Sequence, residues 1–391
     1  MNPPQSVDVQ LKVAVIGVGA RAQSHLATLE KLTDMYKLVG VCDVLPERVA
    51  EVAARLGVPG FSDLETLFAR SKPDAVVVVT PAEHHHTSTT AAAAHGVHVL
   101  CETPIAVTLG YADQMISACR RAGVQLEIGE NVWRWPQERL KYQLIQGGLI
   151  GDVSSGRLWY SSGAYHGLNA LRTLVDSRAA RIVGYARVMA APRAVRFVDP
   201  YFLHGLGYTE YDYEPLIRES DIATWEAGLI EFANGVVATY EVPFAPPRGN
   251  LWDIQGTKGA ISGTDVIIHD SKERLRITLD TETIEGRPTV VGAALTKDGE
   301  RLSEWAWENP FVRYFPANAD EVARMDALTG LYRAVTEGVS PEYGADNARA
   351  DMEILIAVRE SARRGGQPLT LPLHSETGYE ERLHATYGEP A

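Results

Sequence analysis

The residues able to do chemistry gather at a few turns. "VAVIGVGARA" places Gly17, Gly19 and Ala22 in a G-x-G-x-x-A pattern directly after a short apolar run. Between a strand and a helix, the first glycine makes a tight turn and the second lets backbone approach a pyrophosphate. The alanine allows close helix–strand packing, and the helix N-terminus faces the negative charge. Gly17, Gly19, Ala20 and Arg21 are therefore expected at a dinucleotide. Asp43 ends the next apolar run in "VGVCDV". A carboxylate there binds ribose hydroxyls and repels a 2′-phosphate, so NAD is expected rather than NADP.

A second set lies downstream. His166 in "WYSSGAYHGLNALR" is the expected base, because imidazole titrates near neutrality. Tyr165 and Tyr160 can assist it. His166, Asn169 and Arg172 fall roughly on one side of a helix. Asn169 can hold a substrate hydroxyl. Arg172 can grip a carboxylate or sulfonate with its planar fork, or simply pair with an acid on the helix surface. "ENVWRWPQER" groups Asn131, Trp133, Arg134 and Trp135, a mixture suited to stacking and hydrogen-bonding a sugar, with one tryptophan expected to be core. The tyrosine-rich "DPYFLHGLGYTEYDYE" carries His204 and reads as a lid over substrate or an oligomer contact. Adjacent side chains diverge, so His84 to His86 are not expected to bind a metal.

These turns need elements to hold them. The first third alternates uninterrupted apolar strands with helices, the signature of a parallel sheet covered on both faces. This is a doubly wound dinucleotide-type domain, residues 1–127. Residues 128–391 begin with the helix "PQERLKYQLIQ" and continue as strand-like runs, with Asn234-Gly235 marking a hairpin. A large, mainly antiparallel sheet is expected, followed by two helices, the second closing with a strand over 344–371.

The bulk composition narrows the partners. With 391 residues, two domains are comfortable. A net charge of -13 argues against nucleic acid and anionic membranes as partners. No apolar run has the length of a membrane span. Cys42, Cys101 and Cys119 are sparse and lack metal-type spacing, as in a reduced, cytoplasmic protein. "MNPPQSVDVQ" has neither the basic nor the apolar part of a signal peptide.

"VAVIGVG", "VVVVTPAEHH", "HGVHVLCETP", "IQGTKGAI" and "GADNARADMEILIAVRESARRGGQPLTL" together resemble the Gfo/Idh/MocA oxidoreductase family over nearly the whole chain. The resemblance implies an N-terminal Rossmann domain and a C-terminal α/β domain whose open antiparallel sheet makes a homo-oligomer, a dimer or tetramer. It places the active site between the domains. It also implies that Thr80-Pro81 passes the nicotinamide end of the cofactor, with His85 at that loop. The family's usual Glu-Lys-Pro turn is here Glu102-Thr103-Pro104, and its usual aspartate four residues before the histidine is Ser162. The resemblance makes Glu102 and Thr103 candidate catalytic residues, with Glu102 also at the cofactor, and Glu130-Asn131 is similar to a pair in a family branch without the lysine, which places Asn131 at the cofactor. Three functions stay open. One is NAD-dependent hydride transfer at a hydroxyl or ketone of a sugar, sugar acid or cyclitol. The second is a redox-neutral glycoside hydrolase, lyase or epimerase with retained NAD. The third is a non-catalytic NAD sensor.

Overall fold

A computed structural model describes residues 9–159, 164–190, 199–207, 222–242, 251–269, 274–279, 283–284, 287–288, 290–297 and 300–388. The chain divides into two compact units. One runs to Trp135 and takes up Pro310–Arg349; the other comprises Pro136–Asn309 and Ala350–Pro390.

In the first unit, β1 (Leu11–Ile16), β2 (Tyr36–Cys42), β3 (Gly60–Phe61), β4 (Ala75–Val78), β5 (His98–Cys101) and β6 (Leu126–Ile128) form a parallel sheet. Its order is β3-β2-β1-β4-β5-β6. The connections are α1 (Ala20–Leu29), α2 (Pro46–Leu56), α3 (Leu64–Ser71), α4 (His85–Ala94) and α5 (Leu109–Ala122). All four residues of β4 are buried, as expected of a β-branched run between two helical layers. The strand order reverses at β1 and β4, and the crevice beyond their C-terminal ends is where such sheets take ligands.

The expected boundary after Glu127 is corrected by the helix Ala319–Thr336. It packs against α1, β5 and β6 and is buried around nearly its whole circumference. Its polar groups find partners inside the unit. Tyr36 Oη donates to the Leu328 carbonyl at 2.7 Å, Arg324 Nε donates to Thr28 Oγ1 at 3.2 Å, and Asp326 pairs with Arg134 at 2.8 Å. A long-range segment therefore closes the β6 side of a sheet that a local reading ends too early.

The second unit holds an eleven-stranded sheet. From one edge the strands run Glu300–Glu308, Val290–Lys297, Arg274–Leu279, Asp265–Ile268, Gly259–Ser262, Leu251–Gly256, Val153–Trp159, Val237–Val242, Ile222–Phe232, Ala179–Ala190 and Leu369–Thr370. Val153–Trp159 and Val237–Val242 pair in parallel, and every other neighbouring pair is antiparallel. The hairpin lies at Asn234-Gly235, with Gly235 at φ +88° and the Phe232 N–H donating to the Val236 carbonyl at 2.8 Å. Val237–Val242 alternates exposed or half-buried with buried residues, so one face meets the core. A Cβ on Gly184 would run into the Val358 carbonyl, so the helix bearing Val358 lies directly on the strand.

Arg359 knots this core. Its guanidinium donates to both oxygens of Glu226 (2.9 and 3.2 Å), to Asp199 (2.6 Å) and to Tyr379 Oη (2.8 Å), while Tyr240 Oη donates to Glu226 at 2.7 Å. Burial alone would lower the guanidinium's affinity for its proton, but Glu226, Tyr379 and Asp199 more than offset it. The network anchors the start of the tyrosine-rich segment to the C-terminal helix Gly378–Tyr387. Residues 208–214 of that segment lie outside the described residues.

Candidate functional site: a dinucleotide cradle

The cradle forms where the sequence places its glycines. Gly17 has φ +85°, and a Cβ there would sit 2.6 Å from the Val79 carbonyl oxygen and 2.8 Å from the Thr80 nitrogen. Only glycine fits. Gly19 faces open space, the nearest atom to a built Cβ being Arg48 Nη1 at 3.8 Å. It precedes α1 without any side-chain cap, so the first N–H groups of that helix remain available to an anion. The turn opens on a cavity of about 660 Å³ lined by Gly17, Gly19, Ala20, Arg21, Asp43, Thr80 and Pro81, all expected from the sequence.

Asp43 is fixed on arrival. Its Oδ2 accepts the Val18 N–H at 2.8 Å, its Oδ1 accepts the Leu45 N–H at 3.1 Å, and Arg48 lies 3.5 Å away. Thr80 Oγ1 is buried and, among the described residues, has no hydrogen-bond partner. A glycine cradle, an uncapped helix end, a carboxylate on the β2 side and an unmet hydroxyl on the β4 side together fit a dinucleotide. Arg48, His84, Thr87 and Ser88 also line the cavity and were not expected. The last three sit at i, i+3 and i+4, the spacing of one helix face, a signal that the run of histidines obscured.

His85 departs from expectation. It is 1% exposed and lies outside the cavity lining. Its Nδ1 approaches the Pro104 carbonyl and its Nε2 the Thr80 carbonyl, each at 2.9 Å. Burial lowers its pKa below the usual 6.5, against the two carbonyl contacts, which raise it. His86 stacks on Tyr111 at 3.9 Å, and His84 is exposed. The three neighbours point three ways, and among the described residues no cluster of three ligand-type side chains could hold a metal.

Glu102 is also not at the cofactor cavity but beside it. Its Oε1 accepts from Arg21 Nε and from His25 Nε2, both at 2.6 Å. Its Oε2 accepts the Thr103 N–H at 2.8 Å and the Thr103 hydroxyl at 3.2 Å. Burial would raise this carboxyl, but His25, Arg21 and the Thr103 N–H outweigh it and hold it far below the ordinary range. Glu102 is thus a fixed anion and a poor base. Thr103, having donated its proton to Glu102, offers only acceptor capacity.

Glu130 caps the short turn after β6, its Oε1 accepting the Asn131 and Val132 N–H groups at 3.0 and 3.1 Å. Asn131 Nδ2 donates to Asp320 at 3.0 Å, while Asn131 Oδ1 is buried and, among the described residues, has no partner. Arg134 is corrected from substrate ligand to core cation. It has no exposed surface, pairs with Asp326 at 2.8 Å and Glu127 at 3.5 Å, and stacks over Trp133. Trp133, 8% exposed, packs against Tyr343. Burial raises the Glu127 carboxyl, opposed by Arg134 and by the Ile128 and Gly344 N–H groups.

In the second unit, helix Ala164–Val175 carries Tyr165, His166, Asn169 and Arg172 as expected. His166 is half-buried, and Tyr165 is buried with its ring edge toward it at 6.0 Å. Asn169 and Arg172 are both held by buried Asp351, which for Arg172 is the pairing with an acid that its sequence position left open, while Asn169 Oδ1 is buried and, among the described residues, has no partner. Asn169 Nδ2 donates at 3.1 Å and Arg172 Nε at 2.6 Å. His204 meets Tyr387 Oη at 2.8 Å, a contact within the fold. Tyr160 and Ser162 lie outside the described residues.

Comparison with known proteins agrees with this geometry. Residues 11–130 match the Gfo/Idh/MocA oxidoreductase family, NAD-binding Rossmann fold. The chain is 27% identical over 266 residues to D-apiose dehydrogenase of Rhizobium rhizogenes, covering 64% of this chain and 73% of that protein. It is 31% identical over 161 residues to glycosyl hydrolase family 109 protein 2 of Akkermansia muciniphila, covering 39% of this chain but only 34% of that protein. In structure it is similar to GenD2 of gentamicin A biosynthesis, solved in complex with NAD, with a TM-score of 0.67, 20% identity, and coverage of 95% and 99% of the two chains. Over residues 11–130 the chain is therefore similar to the Gfo/Idh/MocA oxidoreductases, with their NAD-binding Rossmann fold.

Proposed function

We propose that the protein is an NAD-dependent oxidoreductase acting on a hydroxyl or ketone of a sugar, sugar acid or cyclitol. The observation that carries the reading is the cradle at Gly17–Arg21 with Asp43 opposite Thr80. Bound there, NAD supplies the hydride acceptor. The chain's own residues divide the remaining work. The glycine turn and the α1 N-terminus receive the pyrophosphate, and Asp43 receives a ribose hydroxyl. Thr80 Oγ1 offers an unmet polar atom in the cavity lining on the β4 side, and Asn131 Oδ1 is a second buried atom without a partner among the described residues. Thr103, in the turn where the family carries its lysine, accepts a hydrogen bond from a substrate hydroxyl but cannot remove the proton. Glu102 is too acidic to do so, which leaves His166 as the proposed base. Nicotinamide absorbance followed over a panel of polyols and keto-sugars tests the reading. No change with any member would defeat it.

One observation favours a second reading. The turn has no group that titrates usefully, and the matched relatives include proteins named as a family 109 glycosyl hydrolase and a 2,7-anhydro-N-acetylneuraminate hydratase. A redox-neutral hydrolase or lyase would retain NAD through purification and cleave a glycoside without net NADH. Readily exchanging cofactor and no cleavage would exclude it.

We further propose a homo-oligomer formed by the open face of the large sheet. Tyr185, Leu229 and Val237 stand exposed there at 56%, 40% and 38%, apolar side chains that a second copy would cover. Cytoplasmic residence is proposed from the three cysteines. All are buried and unpaired, with burial pushing Cys42 to about 11 and Cys119 to about 12. Among the described residues no helix is long and apolar enough to cross a membrane.

A further inference from the structure

We propose that His85 is a positioning residue for the nicotinamide half of the cofactor site, acting as a strut between the β4 loop and the Glu102–Thr103–Pro104 turn. Both of its partners, the carbonyls of Thr80 and Pro104, belong to backbone that follows a strand end. Thr80 follows β4 and Pro104 follows β5, neighbours in the sheet. Carbonyl oxygens only accept, so the ring holds them by donating. A neutral ring donates to one and an imidazolium to both. In either state a rigid five-membered ring fills the space between the two loops, 1% exposed.

The two loops so joined carry what matters on this side of the cradle. Thr80 brings its unpartnered Oγ1 and lines the cavity. The turn brings Thr103 and the Glu102 carboxylate, itself tied to Arg21 of the glycine turn. Asp43 marks the β2 side as the adenosine side, so the other half of a dinucleotide lies toward β4 and β5. His85 therefore bears on one half of the cofactor and not on the other. It does so without touching it, since the cavity is lined by His84 and not by His85. This inference rests on the NAD reading but not on the identity of the substrate.

The test is a pair of binding titrations on the full chain, with NADH and with ADP-ribose, which lacks the nicotinamide. In H85Q a flexible side chain with a terminal amide replaces the rigid ring that spans the space between the two carbonyls. NADH binding is expected to weaken roughly three- to tenfold, about the worth of one hydrogen bond, while ADP-ribose binding stays within about twofold. Unchanged ADP-ribose binding also reports that the glycine turn is folded. Should H85Q fail to fold, H85N is measured in the same way. Equal weakening toward both ligands would make His85 a general fold element, and no weakening toward either would leave the strut without effect; each result overturns the proposal. If wild-type protein binds neither ligand, the NAD reading itself has failed. Absence of turnover with every substrate leaves the strut standing.

Discussion

Thr103 turns both of its donors, the backbone N–H at 2.8 Å and the hydroxyl at 3.2 Å, onto one oxygen of Glu102. A threonine in this arrangement is an acceptor with its proton already placed. In the proposed reaction, this turn orients a substrate hydroxyl and leaves deprotonation to another group.

Replacing Thr103 with valine removes that acceptor and keeps the shape. The N–H bond to Glu102 survives, so thermal stability should fall by no more than about 1 kcal/mol. The value of kcat/KM for the alcohol substrate should fall about tenfold, the loss of one oriented hydrogen bond. An unchanged kcat/KM would remove Thr103 from the reaction.

The Glu102 carboxyl is held below its usual 4.5 by partners that outweigh burial. A depressed carboxylate contributes stability above its unfolded value and loses it as pH falls through the folded one. E102Q should therefore destabilise the protein by about 2–3 kcal/mol at neutral pH, mainly by leaving His25 without its anion. The gap from wild type should narrow as pH drops below about 4.5. Denaturant melts at several pH values read this directly, and a constant gap would contradict it.

His166 is half-buried on its helix, so H166A should leave the melting temperature nearly unchanged. As the base, its loss should lower kcat by about 10²–10⁴ and remove the acidic limb of the pH–rate profile. An activity loss with that limb intact would point to another base.

Arg134 makes the contrast with a site residue. R134M removes a fully buried guanidinium and strands Asp326 beside Glu127. A loss of about 3–5 kcal/mol is expected in unfolding experiments. The KM for substrate should not change at temperatures where the variant is folded. A selective rise in KM would restore Arg134 to the substrate pocket.

Local pattern sufficed for the first unit's strands and for the cofactor turn. A β-branched run such as Ala75–Val78 has few alternatives to a buried parallel strand, and Gly17 and Gly19 sit in sequence beside the elements they join. The same holds for Asp43, fixed directly after a glycine-bearing strand ends. Partnership across sequence distance is what the chain could not announce. Asn169 Nδ2 and Arg172 stand on a helix face open to ligand or acid until Asp351, 182 and 179 residues away, takes them. Arg134 looks like a pocket cation until Asp326, 192 residues away, buries it. His85 reads as a cofactor ligand, and its ring lies instead between two carbonyls. The sequence by itself determined the sheet, the glycine turn and the missing lysine, because each depends on neighbours along the chain. Only the tertiary structure decided which polar side chains are free for ligand, because a buried charge must be paired and its partner can come from anywhere in the fold.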